Sequence, residues 1–173
     1  MGKKKKQKKD DKQKIVDKRI KRFRIFMIIL IAIWAIFVFY LSGQSGSESS
    51  GLSRRVVMLF TKNEDIINNV EPYVRKLAHY SEYGLGGILF IILFNTYEWS
   101  DERKLIVSTL IGAWYAITDE IHQYLVPFRV CSAVDVWIDT LGIATGACCT
   151  YIIIKWIRLQ RERKISKWQT LNK

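Results

Sequence analysis

Seventeen consecutive residues, Ile25 to Leu41, carry no charge. A helix that crosses a bilayer needs about 20 mainly apolar residues, with a range of roughly 17–25. The run reaches that length once the stems of Arg22 and Arg24 lie along it and their heads reach the surface. A cleaved signal peptide is disfavoured, because its apolar region spans only about 7–15 residues and a small-x-small cleavage site follows it. Three further stretches have the same character: Pro72–Tyr97, Leu105–Leu125 and Ser132–Ile157. Pro72 suits a first helical position. Val126-Pro127 is a helix stop. Glu98 to Lys104 is a tight polar turn. The expectation is an all-α membrane protein with four transmembrane helices.

The charge distribution supplies an orientation. The net charge is +12. Residues 1–24 hold 13 Lys/Arg against three acids, and residues 155–173 hold seven against one. The body, 25–154, has eight basic and 12 acidic residues. Four spans put both termini on one side, and the positive-inside rule makes that side cytoplasmic. With Arg103 and Lys104, 22 of the 28 basic residues then lie inside. The expected organisation is a polybasic cytoplasmic tail, 1–24, a four-helix transmembrane domain, 25–157, and a basic cytoplasmic tail, 158–173. The tails should meet anionic lipid. The long apolar runs argue against a soluble nucleic-acid binder and against a disordered chain.

The first outer loop, 42–71, opens with a Ser/Gly-rich stretch. Leu52, Val56, Leu59 and Phe60 then share a helical face, with Arg54 and Arg55 off it, so a short amphipathic helix on the outer surface is expected. Only three cysteines are present, which excludes a disulfide scaffold. Cys131 lies in an outer loop about 25 Å along the axis from Cys148, and adjacent Cys148 and Cys149 do not bridge. They read as packing residues. Gly142, Gly146 and Ala147 form a stripe for close helix contact, and Gly84, Gly86, Gly87 and Gly112 serve the same end.

Ionisable residues inside the spans carry the functional information. Arg75, His79 and Glu82 are spaced i, i+4, i+7 and share one face of the second span. Asp119, His122 and Gln123 share a face of the third, with Glu120 about 100° away. Asp135 and Asp139 share a face of the fourth. The expected topology sets all of these in the outer part of the membrane. Each carboxylate at mid-helix costs roughly 2.5–3.5 kcal/mol to insert, so these should face inward, pair, or line a wet cavity. Arg75 and Arg129 are the obvious counter-charges. One reading is an ion-paired network that locks the helices. The anionic surplus favours instead a cation, a proton or a polar ligand.

Three chemistries fit the set. His79, Glu82, Asp119, His122, Asp135 and Asp139 are ligand types for a divalent metal such as zinc or manganese, although no HExxH is present. Acid/base catalysis could use Glu82 with His79, or Asp119 with His122. A proton relay could use the same groups, but four short spans are few for a transporter unless the chain forms a homo-oligomer. A Ser-His-Asp hydrolase lacks its Gly-x-Ser-x-Gly elbow. The glycines at 84–87 lie inside an apolar helix and are not a phosphate loop.

Arg75-Lys76-Leu-Ala-His79-Tyr-Ser-Glu82-Tyr83 resembles the RKxxHxxEY segment of VanZ-like membrane proteins. Thr118-Asp119-Glu120 with Gln123 resembles their TDExxQ segment. Arg129 with Asp135, Asp139 and Gly142 resembles their R-x(n)-DxxxDxxG segment. Ser42, Gln44 and Ser50 resemble the polar exit from the family's first span. The resemblance covers about residues 34–157, in order. Val130-Cys131 departs from it, since small residues such as Gly or Ser usually follow that arginine. The resemblance implies a bacterial cell-membrane protein whose founding members lower susceptibility to teicoplanin. It also implies that these polar residues, Lys76 and Tyr83 included, form the functional set. The expected ligand is teicoplanin itself or a lipid-linked cell-wall precursor. The alternative is an intramembrane acid/base or metal-dependent enzyme acting on an envelope lipid or lipid-linked precursor.

Overall fold

A computed structural model describes residues 2–44, 46–127, 129 and 131–171. Those residues form five helices and no strand: α1, Gly2–Ser42; α2, Gly46–Met58; α3, Glu64–Phe94; α4, Asp101–Tyr124; and α5, Ala133–Leu171. Three of them, α1, α3 and α5, are long and apolar enough to cross a membrane. The chain is thus an all-helical membrane protein. The α4 helix also has a long apolar run, Leu105–Thr118, but Asp119, Glu120 and His122 dilute its last turns. The α1 and α5 helices run unbroken through positions 24–25 and 157–158, so the basic tails continue the apolar helices.

Local chemistry sets the helix ends. The Asn63 side chain accepts from the amides of Asp65 and Ile66 at 2.9 and 3.3 Å, and Glu64 and Asp65 follow in the first turn. This is an N-cap with acids at the positive end of the helix. It starts α3 eight residues before Pro72, which therefore lies inside the helix rather than at its first position. The proline leaves the Asn68 carbonyl without its usual helical donor. Arg54 of α2 fixes that part of the helix, donating to the Asn68 side chain at 2.7 Å and pairing with Glu64. Ser100 caps α4 by accepting from the Arg103 amide.

The most extensive packing is between α3 and α5. Glycine makes it possible. A Cβ on Gly87 would strike the Ile143 carbonyl, one on Gly142 the Tyr80 carbonyl, and one on Gly146 the Gly84 carbonyl. Backbone therefore touches backbone along the seam, as in small-residue membrane interfaces. Trp34 of α1 fills the space over Gly86, donates to the Glu82 carbonyl at 2.8 Å, and meets Tyr83 edge-on at 6.0 Å.

The helices converge in two layers of polar contacts. At the end bearing the tails, Arg24 donates to the Thr96 hydroxyl at 2.9 Å and Tyr151 donates to Asp101 at 2.8 Å. At the other end, Arg129 donates to the Gln44 carbonyl at 3.2 Å and the Ser132 amide donates to Glu120 at 2.7 Å. About 20 residues separate the layers on α1, α4 and α5, or roughly 30 Å of helix.

The α2 helix docks on α3 through Ser53 and Val57 and leaves Leu52 and Val56 exposed, with Leu59 and Phe60 exposed just beyond its end. One expectation needs correction. The cysteines are free and exposed rather than packed. The buried face of α5 runs through Asp139, Gly142, Ile143 and Ala147, and Cys148 and Cys149 fall off it.

Candidate functional site

The seam between α3 and α5 sets the deepest part of the site. His79 on α3 and Asp139 on α5 approach across it, with Nδ1 and Oδ1 3.8 Å apart. Asp139 is fully buried, and neither of its carboxylate oxygens has a hydrogen-bond partner among the described residues. Asp119, Glu120 and Gln123 bring α4 to the same region and are all buried. Gln123 donates to Asp119 at 3.1 Å. The Tyr83 hydroxyl lies beside Asp119 without a well-formed hydrogen bond. So Asp119 and Glu120, though adjacent and about 100° apart, both face protein: one meets α3, the other the loop before α5.

His122 takes a different direction. It stacks on Phe39 of α1 with ring centroids 3.8 Å apart and 21° between planes. It lines an open recess with Ile36, Tyr40, Gly43 and Gln44, away from His79.

The arginines do not neutralise the acids directly. Arg75 donates to the Ser50 hydroxyl at 3.2 Å. Arg129 donates to the Gln44 carbonyl and, also at 3.2 Å, to the Gln123 side-chain oxygen. No described carboxylate forms an ion pair with either guanidinium. Burial and the like charge of Arg75 lower the Arg129 pKa, while Asp119, Glu120 and Asp135 oppose that shift. Arginine nevertheless stays charged in such a setting.

Two cavities meet at these groups. The first, about 210 Å³, is largely apolar and lies against Val38, Leu41, Leu52, Val56, Val74 and Ala78, with Glu82 in its wall. The second, about 260 Å³, is polar and is lined by Lys76, Gln123, Ser132 and Asp135. Arg75, His79 and Arg129 belong to both. They form the wall between an apolar slot and a polar vestibule.

The candidate metal ligands His79, Glu82, Asp119 and Asp139 do not gather into a ligand set. Among the described residues, no three His, Cys, Asp or Glu side chains converge closely enough to hold an ion. The described residues therefore form no three-ligand metal site.

Sequence periodicity placed His79, Glu82, Asp119, Asp135 and Asp139 at one level. It missed Trp34, whose indole holds the Glu82 backbone, and Phe39, which turns His122 aside. Both sit in the uniformly apolar α1, where no periodic signal marks them. Ser132 was also missed, though a serine just ahead of a helix is a recognisable capping signal.

No curated protein and no solved structure matches the chain. The family model for VanZ/LLP1 matches residues 26–155, a stretch that covers all but the outermost residues of the four long apolar segments and contains both cavities, and the chain belongs to that family.

Proposed function

We propose that the chain is a four-span protein of the bacterial cell membrane, with both termini cytoplasmic, that engages an acylated or lipid-linked anionic ligand from the outer leaflet and thereby lowers susceptibility to teicoplanin-type glycopeptides. The carrying observation is the shared wall of the two cavities. An apolar slot beside a polar vestibule, with Arg75 and Arg129 between them on neutral acceptors, matches an amphiphile whose anionic group meets its apolar chain at that wall. A guanidinium suits a carboxylate or phosphate because its donors form a fixed fork. The two layers of polar contacts support four spans, since α4 runs between them as α1 and α5 do. The charge excess of the tails supports the orientation. The exposed Leu59 and Phe60 beyond α2 support contact with the outer leaflet.

A second reading, an intramembrane acid/base enzyme acting on an envelope lipid, is favoured by the approach of Asp139 to His79. A buried carboxylate behind a histidine can fix its orientation and leave its other nitrogen toward substrate.

The test is susceptibility to teicoplanin and vancomycin in a sensitive Gram-positive host, with and without the chain. Selective protection against teicoplanin is expected. It should be lost in Arg75→Gln and Arg129→Gln and retained in Glu82→Gln and Asp119→Asn. Abolition by either isosteric change, at normal membrane levels, would favour the enzyme. Absence of any protection from the wild-type chain would remove the glycopeptide reading.

A further inference from the structure

At the opposite end of the bundle, α3, α4 and α5 build a second charged cluster that the outer site does not use. Lys104, Lys155 and Arg158 surround a small recess floored by Ile91 and Ile154. Lys104 is 6% exposed, yet its ammonium has only long contacts, 3.5 Å to Asp101 and 3.5 Å to the Asn95 side chain. Arg158 shares that Asn95 oxygen at 3.3 Å. Lys155 stands over the Tyr151 ring at 5.4 Å. Asp101 is the one carboxylate lining the recess, and it already accepts from Tyr151. Three cations thus face one partly engaged acid, a local excess of two positive charges.

The surroundings identify the complementary group. Tyr97 and Trp99 lie at this level, each under a guanidinium: Arg24 over Tyr97 at 3.8 Å and Arg103 over Trp99 at 4.8 Å. Aromatic and basic residues of this kind mark the bilayer interface, and basic pockets between helices there bind anionic headgroups.

We infer that the rim of the recess between the inner ends of α3, α4 and α5 binds the phosphate of an anionic phospholipid, held by the exposed Lys155 and Arg158, with the buried Lys104 adding its charge from beneath. The site is distinct from general attraction to the basic tails. It is a fixed set of charges on two helices, α4 and α5, so an occupant ties their inner ends together.

The full-length chain is placed in nanodiscs of phosphatidylcholine with increasing phosphatidylglycerol, and thermal unfolding is followed. Phosphatidylglycerol should raise the unfolding temperature saturably. Lys155→Gln with Arg158→Gln should weaken the apparent affinity roughly tenfold, given the usual contribution of a basic residue at a lipid surface. Both residues are at the protein surface, so this double variant should fold. Asp101→Asn should strengthen binding, because it removes the competing charge. A tail variant, Lys12, Lys14 and Lys18→Gln, should retain the effect. Inorganic phosphate at millimolar concentration should not reproduce it. Equal responses in wild type and the double variant, loss of the response in the tail variant, or full replacement by inorganic phosphate would each overturn the assignment.

Discussion

His79 Nδ1 stands 3.8 Å from Asp139 Oδ1 across a seam where α3 and α5 touch backbone to backbone. His79 is part of the wall that the two cavities share, and Asp139 lies buried behind it. Asp139→Asn preserves the volume and removes the ionisable carboxyl. Protection against teicoplanin should survive it within about twofold if the arginines and the cavity shapes hold the ligand. A fall to the level of the empty host, with normal membrane content, would instead assign His79 a proton-transfer role that depends on Asp139.

Arg129 makes two directed contacts, one through Nε and one through Nη1. Lysine has one point of charge and cannot reproduce that fork. Arg129→Lys should therefore behave like Arg129→Gln, with ligand retention reduced about tenfold or more, the size of a lost charge-assisted hydrogen bond. Protection assays combined with thermal unfolding would check this. A lysine variant with full protection would show that charge alone suffices.

The glycine seam should be intolerant of side chains. Gly142→Val places methyl groups against the Tyr80 carbonyl and should cost about 2–3 kcal/mol or more through overpacking. Thr145→Val, exposed on the same helix, should stay within about 0.5 kcal/mol of wild type. Detergent-solubilised thermal unfolding of the two variants gives the comparison.

Cys131 offers a pH-dependent probe of the end opposite the basic tails. Partial desolvation, reinforced by the Glu120 carboxylate within hydrogen-bond reach, raises its thiol pKa. The reactive thiolate is therefore scarce near neutral pH and increases as pH rises through the elevated pKa. An impermeant maleimide applied to intact cells should label Cys131 slowly at pH 7 and faster at pH 9. Glu120→Gln should raise the neutral-pH rate severalfold. Labelling only after the membrane is opened would reverse the proposed orientation.

At the end bearing the basic tails, the hydrogen bond from Tyr151 is the largest cause lowering the Asp101 pKa, and Lys104 adds to it. A depressed acid stabilises the fold above its unfolded pKa and loses that contribution as pH falls through the folded value. Tyr151→Phe should move the Asp101 titration upward toward the ordinary carboxylate range near 4. Carbon-detected NMR of the side chain would read the shift.

Much of this was legible in sequence because lipid makes polarity expensive. A run such as Ile25–Leu41 has few structural options, and His79, Asp119 and Asp139 stand out against apolar neighbours. Helical periodicity then placed them at one level. What periodicity could not see was partner choice. Arg129 meets the Gln44 backbone and not a carboxylate, because the α4–α5 loop returns to the end of α1. His122 shares a face with Asp119 by count, yet its ring lies against Phe39. Pro72 looked like a helix start, but Asn63 offers a stronger one eight residues earlier. In each case a contact distant in sequence decides between options that are locally equivalent.

Where Gly87, Gly142 and Gly146 set one main chain against another, there is no slack for sliding. The α3–α5 pair is in mechanical terms a single beam. By contrast, α1 and α2 meet that beam through side chains such as Trp34, Val38, Ser53 and Val57, which can change rotamer and re-seat. Any widening that admits a long apolar chain from the bilayer must therefore come from α1 and α2 swinging outward, with α3 and α5 as the stationary frame.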